Sequence, residues 1–286
     1  MPAGRARYSM MLAPDGGIID DLIVYRLGEA RYLAVPNGAN RITVVEELTR
    51  RGREWCAKNE ASESHSIVDR TLERALIAVQ GPESLKAVVA LLGPEDAERV
   101  AALGYYRALE AKVDGVPAMI ARTGYTGETG YEIMLPASAA PDVWRKIEAK
   151  ACGLASRDTL RLEAGMPLYG NELGRDVAPA DACAARRPAD HEFVGGAALA
   201  EREPTWDLYA LVGEGRRAAR AGNTAMSEGR EVGKVTSGAL SPTLGYPIAL
   251  ARLEPGIAEG AVLDVDVRGT LQPMRVTTLP FYKRSR

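Results

Sequence analysis

The order of elements along the 286-residue chain predicts an α+β fold followed by an all-β C-terminal module. Three observations carry that expectation. Strands and helices follow one another as β, α, β-hairpin, β and α through about residue 150. The stretch 175–206 then loses periodicity. Beyond it the chain is almost wholly short strands broken by Gly and Pro, as in a small barrel or sandwich.

GGIIDDLIVYRL (16–27) is a Gly-Gly turn followed by a strand rich in Ile, Leu and Val, and RYLAVPNG (31–38) is a second strand ended by Pro36 and Asn37-Gly38. Residues 40–58 read as a helix with Ile42, Val45, Leu48 and Trp55 on its apolar face. RALIAVQGP (74–82) is a strand stopped by Gly81-Pro82, and ESLKAVVALL is a helix with Pro82 near its first position. Strands near 105–113 and 116–123 flank an Asp114-Gly115 turn, a strong hairpin signal. A strand at 131–135 and a helix at 139–150 close the α+β part. DVAPADACAARRPADHEF reads as an irregular crossing segment, and DLYALVGEG, REVGKVTSGAL, YPIALARL, AVLDVDVRG and PMRVTTLPF supply the strands of the last module. The expected domains are therefore 1–175, an irregular linker at 176–206, and 207–286.

Composition narrows the function. Lys and Arg number 36 against 38 Asp and Glu, so no basic field favours nucleic acid or an anionic membrane. No apolar run reaches membrane-spanning length, and the first residues lack a signal-peptide pattern, which places the protein in the cytoplasm. Cys56, Cys152 and Cys183 show no metal-ligand spacing and read as reduced thiols. With only His65 and His191, both in polar settings, a Ser-His-Asp enzyme or a His-ligated metal is hard to build. Chemistry here falls to carboxylates, Arg, Tyr and backbone.

Four stretches carry more polar specificity than a fold requires. In IIDDLIVY, adjacent strand residues face opposite sides, so one of Asp20 and Asp21 points inward unless the pair starts the strand in solvent. RTGYTGETGYEIMLP (122–136) places Gly124, Gly127 and Gly130 before Glu132 at a strand edge. It is either an aromatic-edged hairpin or a bent ribbon that approaches a flat ligand, with Tyr125 and Tyr131 beside it and Glu132 as a two-oxygen acceptor for adjacent N–H donors. In SRDTLRLEAGMPLYGNEL (156–173), Ser156 is placed to cap a helix beginning at Arg157. Arg157 and Arg161 either hold an anionic tail or pair with acids of the protein, pairing being the stronger reading for Arg161. VTSGALSPTLGYPIALARL (235–253) lines a cleft or shapes turns, and decides nothing alone.

Taken together, GGIIDDLIVY, ARTGYTGETGYEI, GLASRDTLRLEAGMPLYG, VTSGALSPTLGYPIALAR and LPFYKR resemble the aminomethyltransferase (T-protein) family of the glycine cleavage system over about 5–173 and 207–284. The resemblance implies a three-domain cloverleaf fold that binds folate, with a ferredoxin-like α+β part and a C-terminal β-barrel. It implies transfer of a methylene from the aminomethyl-lipoyl arm of H-protein to tetrahydrofolate with release of ammonia, the P- and L-proteins being functional partners and no metal or flavin being needed. By the same resemblance the catalytic carboxylate is Asp21 and the tetrahydrofolate contacts are Tyr8, Tyr125, Glu132, Arg157 and Tyr282.

Two departures from the family pattern stand out. Members carry a substantial segment before the stretch matching ARYSMML, so the first domain is expected to be incomplete. Arg186, Arg187 and Pro188 replace an apolar strand, and Gly196 stands where Arg is common. Weak or absent activity is expected on both grounds. The alternatives are a folate domain of a demethylating enzyme, or a non-catalytic folate-binding relative in iron–sulfur cluster maintenance. The first lacks its dinucleotide-binding glycine motif here and the second its cysteine motif.

Overall fold

A computed structural model describes residues 1–59, 66–182 and 192–284. The chain divides into two compact units, and the division falls inside its first two strands: Met1–Ser9, Asp20–Gly124 and Glu128–Ala151 form one, and Met10–Ile19, Tyr125–Gly127 and Cys152–Arg286 the other.

In the first unit, strands β1 (Ala6–Leu12), β2 (Ile18–Arg26) and β3 (Tyr32–Val35) make a three-stranded sheet in that order, β1 and β2 continuing into the second unit. Helix α1 (Arg41–Lys58) follows. β4 (Arg74–Gln80), β5 (Ala108–Val113), β6 (Val116–Ala121) and β7 (Gly130–Pro136) form a four-stranded antiparallel sheet in the order β4-β7-β6-β5. Side chains alternate across its pleat. Ile77, Val79, Val113, Ile120, Tyr131, Ile133 and Leu135 face one way, onto helices α2 (Ser84–Val89), α3 (Pro94–Ala101) and α4 (Ala140–Lys146). Ala108, Met119, Ala121 and Met134 face the other way, against Ile23, Tyr25, Leu33 and Val35 of β2 and β3. A sheet covered on both faces is the α+β architecture the element order predicts.

Several local expectations need correction. On α1, Ile42 and Trp55 lie exposed while Val44 and Cys56 are buried, so the inward stripe is rotated from the one expected. The bulky residues misled because side-chain size does not decide which face of this helix is buried; Val44 and Cys56 are the buried positions. Helix α2 starts at Ser84 and Pro82 lies before its Glu83 cap. α3, with Pro94 at its start, and β1 were not anticipated. α4 stops at Lys146, short of 150. Strand β7 is internal, so Glu132 does not stand at a sheet edge: it lies opposite Ala78 of β4 and Ala121 of β6.

The second unit centres on helix α5 (Leu154–Glu163) and a closed barrel. A short helix α6 (Gly196–Glu201) precedes β8 (Asp207–Gly213), β9 (Thr224–Ser227), β10 (Arg230–Leu240), β11 (Pro247–Leu253), β12 (Val262–Val267) and β13 (Thr270–Thr277). These six strands close in the order β10-β11-β8-β13-β12-β9, which leaves no free edge. The interior holds Leu211, Val235, Leu253, Val265 and Met274 among others. Outward-facing Ala210, Ile248 and Leu250 receive Leu162 of α5. Helix α5 begins at Leu154 after Gly153, so Ser156 is a helical residue and caps nothing by its side chain.

Among the described residues no helix is long and apolar enough to cross a membrane. His65, His191, Cys183, Arg186, Arg187 and Pro188 lie outside the described residues.

Candidate functional site

In the first unit two carboxylate centres stand out. Asp20 on β2 has no exposed surface. A buried, uncompensated carboxylate is too costly to keep, and here the turn after β3 answers it. The backbone N–H of Asn37 donates to Asp20 Oδ2 at 3.0 Å, and the side-chain amides of Asn37 and Asn40 donate to Oδ1 at 2.9 and 2.6 Å. Asn37 Nδ2 also donates to Asp21 Oδ1 at 2.7 Å, while Tyr8 Oη donates to Asp21 Oδ2 at 3.0 Å. The register explains this. Ile23 pairs with Val35, and the same antiparallel step continued two residues brings Asp21 opposite Asn37. Asp21 is thus fixed at both oxygens. Burial raises its pKa, the neighbouring charge of Asp20 adds to the rise, and the bonds from Tyr8 and Asn37 oppose it.

The second centre is Glu132. Thr123 Oγ1 donates to its Oε2 at 2.5 Å, and Tyr25 Oη lies 3.1 Å from the same threonine oxygen. Glu132 faces the β2–β3 side of the sheet, whereas Tyr131 is 1% exposed and belongs to the opposite, helix-covered core. Tyr131 therefore offers no ring to a ligand, contrary to expectation.

The glycines have a structural cause as well. A Cβ on Gly124 or Gly130 would fall 2.0 or 2.1 Å from Gln80 Oε1. Gln80 Nε2 reaches the carbonyls of Thr123 and Tyr131, each at 3.2 Å, pinning the two ends of the loop together. Of the three glycines only Gly127 takes a left-handed backbone, φ +73°.

In the second unit the Arg157 guanidinium stacks over the Tyr125 ring, 4.8 Å from its centroid, and the Tyr125 hydroxyl donates to the Pro167 carbonyl. Arg157 is exposed and has no ion-pair partner among the described residues. Arg161, one turn on, behaves oppositely. It is fully buried and donates to Asp158 at 2.8 Å, Glu172 at 2.9 Å and Ser237 at 2.7 Å. Tyr282 sits after the barrel with its N–H on the Glu163 carbonyl at 2.9 Å, and Glu163 in turn accepts from Ser241 and Thr243. No group of three or more His, Cys, Asp and Glu side chains fit for a metal occurs among the described residues.

Comparison with known proteins gives this arrangement a family. The family described as the GCVT N-terminal domain matches residues 1–186, and the glycine cleavage T-protein C-terminal barrel domain matches 207–283. The chain belongs to the glycine cleavage T-protein family. Aminomethyltransferases of Cutibacterium acnes and Streptomyces coelicolor are 47% and 45% identical to it, each over 99% of this chain and 78% of the relative. The crystal structure of glycine cleavage system aminomethyltransferase T from Bartonella henselae superimposes with a TM-score of 0.83 at 30% identity, covering 99% of this chain and 77% of that one. These relatives favour a transferase over the demethylating-enzyme and iron–sulfur readings.

Within this T-protein framework the structure brings Tyr8 and Asp21 into direct contact in the first unit, and Tyr125 and Arg157 in the second. The sequence singled out the Asp20-Asp21 pair without deciding which faces inward; it missed Asn37 and Asn40, PNG reading only as a strand stop, and missed the roles of Thr123, Tyr25 and Gln80. A usable signal existed for the two asparagines: two amide side chains close after a strand that pairs with an Asp-Asp strand.

Proposed function

We infer that this family member catalyses the aminomethyltransferase step of glycine cleavage. The methylene of an aminomethyl group on the lipoyl arm of H-protein passes to tetrahydrofolate. The carbon–sulfur and carbon–amine bonds break, two carbon–nitrogen bonds form, and ammonia and reduced lipoyl leave. Tetrahydrofolate supplies the nucleophilic nitrogens, which is why a protein so poor in histidine serves as the enzyme.

The residues present fit that co-substrate. Glu132 Oε1 has no hydrogen-bond partner among the described residues, leaving an acceptor for the N–H donors of an amino-pyrimidinone ring. Arg157, without a carboxylate partner, is suited to the glutamate end of folate. Tyr8, Tyr125 and Tyr282 are assigned as further contacts on the family resemblance. Asp21, held at both oxygens and with its pKa raised chiefly by burial, is assigned to proton handling and to stabilising charge on the departing amine. The partners are lipoylated H-protein directly and the P- and L-proteins functionally, with no metal, flavin, nucleic acid or membrane, in the cytoplasm.

The uncommitted oxygen of Glu132 is the observation that carries this reading. A tetrahydrofolate titration tests it: Glu132→Ala and Arg157→Ala should each weaken binding at least tenfold, about the effect of losing hydrogen bonds to a charged group. Affinity unchanged in both would overturn it. Methylenetetrahydrofolate formation from aminomethylated H-protein reads activity, and its absence in a chain that binds tetrahydrofolate would count against the transferase step.

A further inference from the structure

We infer that Thr123 is a positioning residue for Glu132, its hydroxyl fixing one carboxylate oxygen so that the other is presented to the substrate ring. The inference rests on the reading of Glu132 as the ring contact, and it concerns how that contact is aimed.

The direction of the hydrogen bonds is forced. A carboxylate only accepts, so the Thr123 proton is spent on Glu132 Oε2. The Tyr25–Thr123 contact, which geometry alone leaves undirected, must then run from Tyr25 Oη to Thr123 Oγ1. Tyr25 keeps its proton at any working pH, because burial first and the nearby Glu132 charge second push its pKa far up. A single chain therefore runs Tyr25 to Thr123 to Glu132, with every donor used once.

Its members have little freedom. Thr123 is 1% exposed and Tyr25 3%. The Thr123 carbonyl is held by Gln80, whose amide also holds Tyr131, the residue before Glu132. The backbones carrying donor and acceptor are thus tied to one side chain. The χ angles of a free glutamate are soft, so holding one oxygen converts a mobile acceptor into a directed one.

The test uses the full chain with tetrahydrofolate and with a 2-desamino analogue that lacks one ring donor. Glu132→Gln is measured first. If it leaves both affinities unchanged, the assignment of Glu132 to the ring fails and this inference with it. If it weakens tetrahydrofolate more than the analogue, Thr123→Val is decisive. Thr123→Val should raise the tetrahydrofolate Kd about tenfold and narrow the preference over the analogue. The loss should fall on KM more than on kcat, and Thr123→Ser should restore the preference. Tyr25→Phe, one step further along, should act in the same direction by two- to fivefold. Should Glu132→Gln be effective while Thr123→Val and Tyr25→Phe keep the wild-type preference, the inference is overturned, even if they lower the urea midpoint.

Discussion

Asp20 has the less familiar of the two adjacent carboxylates' environments. It accepts three hydrogen bonds at zero exposure, and two of those donors come from Asn37. Asp20→Ala strands the Asn37 N–H and the Asn40 amide, while the Asn37 side chain keeps Asp21, so about 3 kcal/mol of stability should be lost in urea unfolding, since each orphaned donor costs roughly 1–3 kcal/mol and the losses overlap. Asp21 makes a different prediction. Its pKa is raised on folding, so the folded protein holds that proton to higher pH than the unfolded chain does. The linked stability is present in acid and falls as pH rises through the window above the ordinary aspartate range. Asp21→Asn, which cannot titrate, should flatten that fall in urea midpoints measured from about pH 4 to 7. The Asp-Asp pair was legible as one inward and one outward group. Which was which was not, because the answer depends on the amides of Asn37 and Asn40, which the turn after β3 brings to Asp20.

Short elements show why some local readings held and others failed. The Asp114-Gly115 hairpin and the four strands of its sheet follow from turn chemistry and alternation, both local. The Gly-rich loop does not. Its glycines suggest close approach by a ligand, whereas Gly124 and Gly130 make room for Gln80, more than 40 residues away in the chain. Gly130→Ala should displace that amide and cost about 1–2 kcal/mol, and in the background of Gln80→Ala the cost should shrink. A double-mutant cycle by urea denaturation measures the coupling, and strict additivity would show that the loop is not pinned this way. On α5 the failure was one of boundary: Ser156 is a good cap by type, yet Gly153 starts the helix and places Arg157 and Arg161 in successive turns with opposite fates.

For the whole molecule, the α+β part and an all-β C-terminal module, barrel or sandwich, were visible in the order and spacing of strands, and the family resemblance implied the barrel. Closure of six strands was not, because β9 is only four residues long and pairs with both β10 and β12. The second unit depends on Arg161, a buried guanidinium shared between helix and barrel. Arg161→Ala leaves Glu172 charged and buried, a change that costs about 3–5 kcal/mol in such pairs. Hydrogen exchange should accelerate in α5 and β10, and equal protection in wild type and variant would refute that role.

Asp21 and Tyr25 hang from the same strand, four residues apart and on the same side of its pleat. The group proposed to handle the proton and the post behind the acid proposed to read the ring are therefore spaced by the pitch of one extended backbone, about 13 Å. A one-residue insertion between them would turn either of the two to the wrong side. The first unit thus carries a ruler whose graduations point mutations cannot shift, and remodelling it for a longer or shorter molecule would require recutting β2 itself.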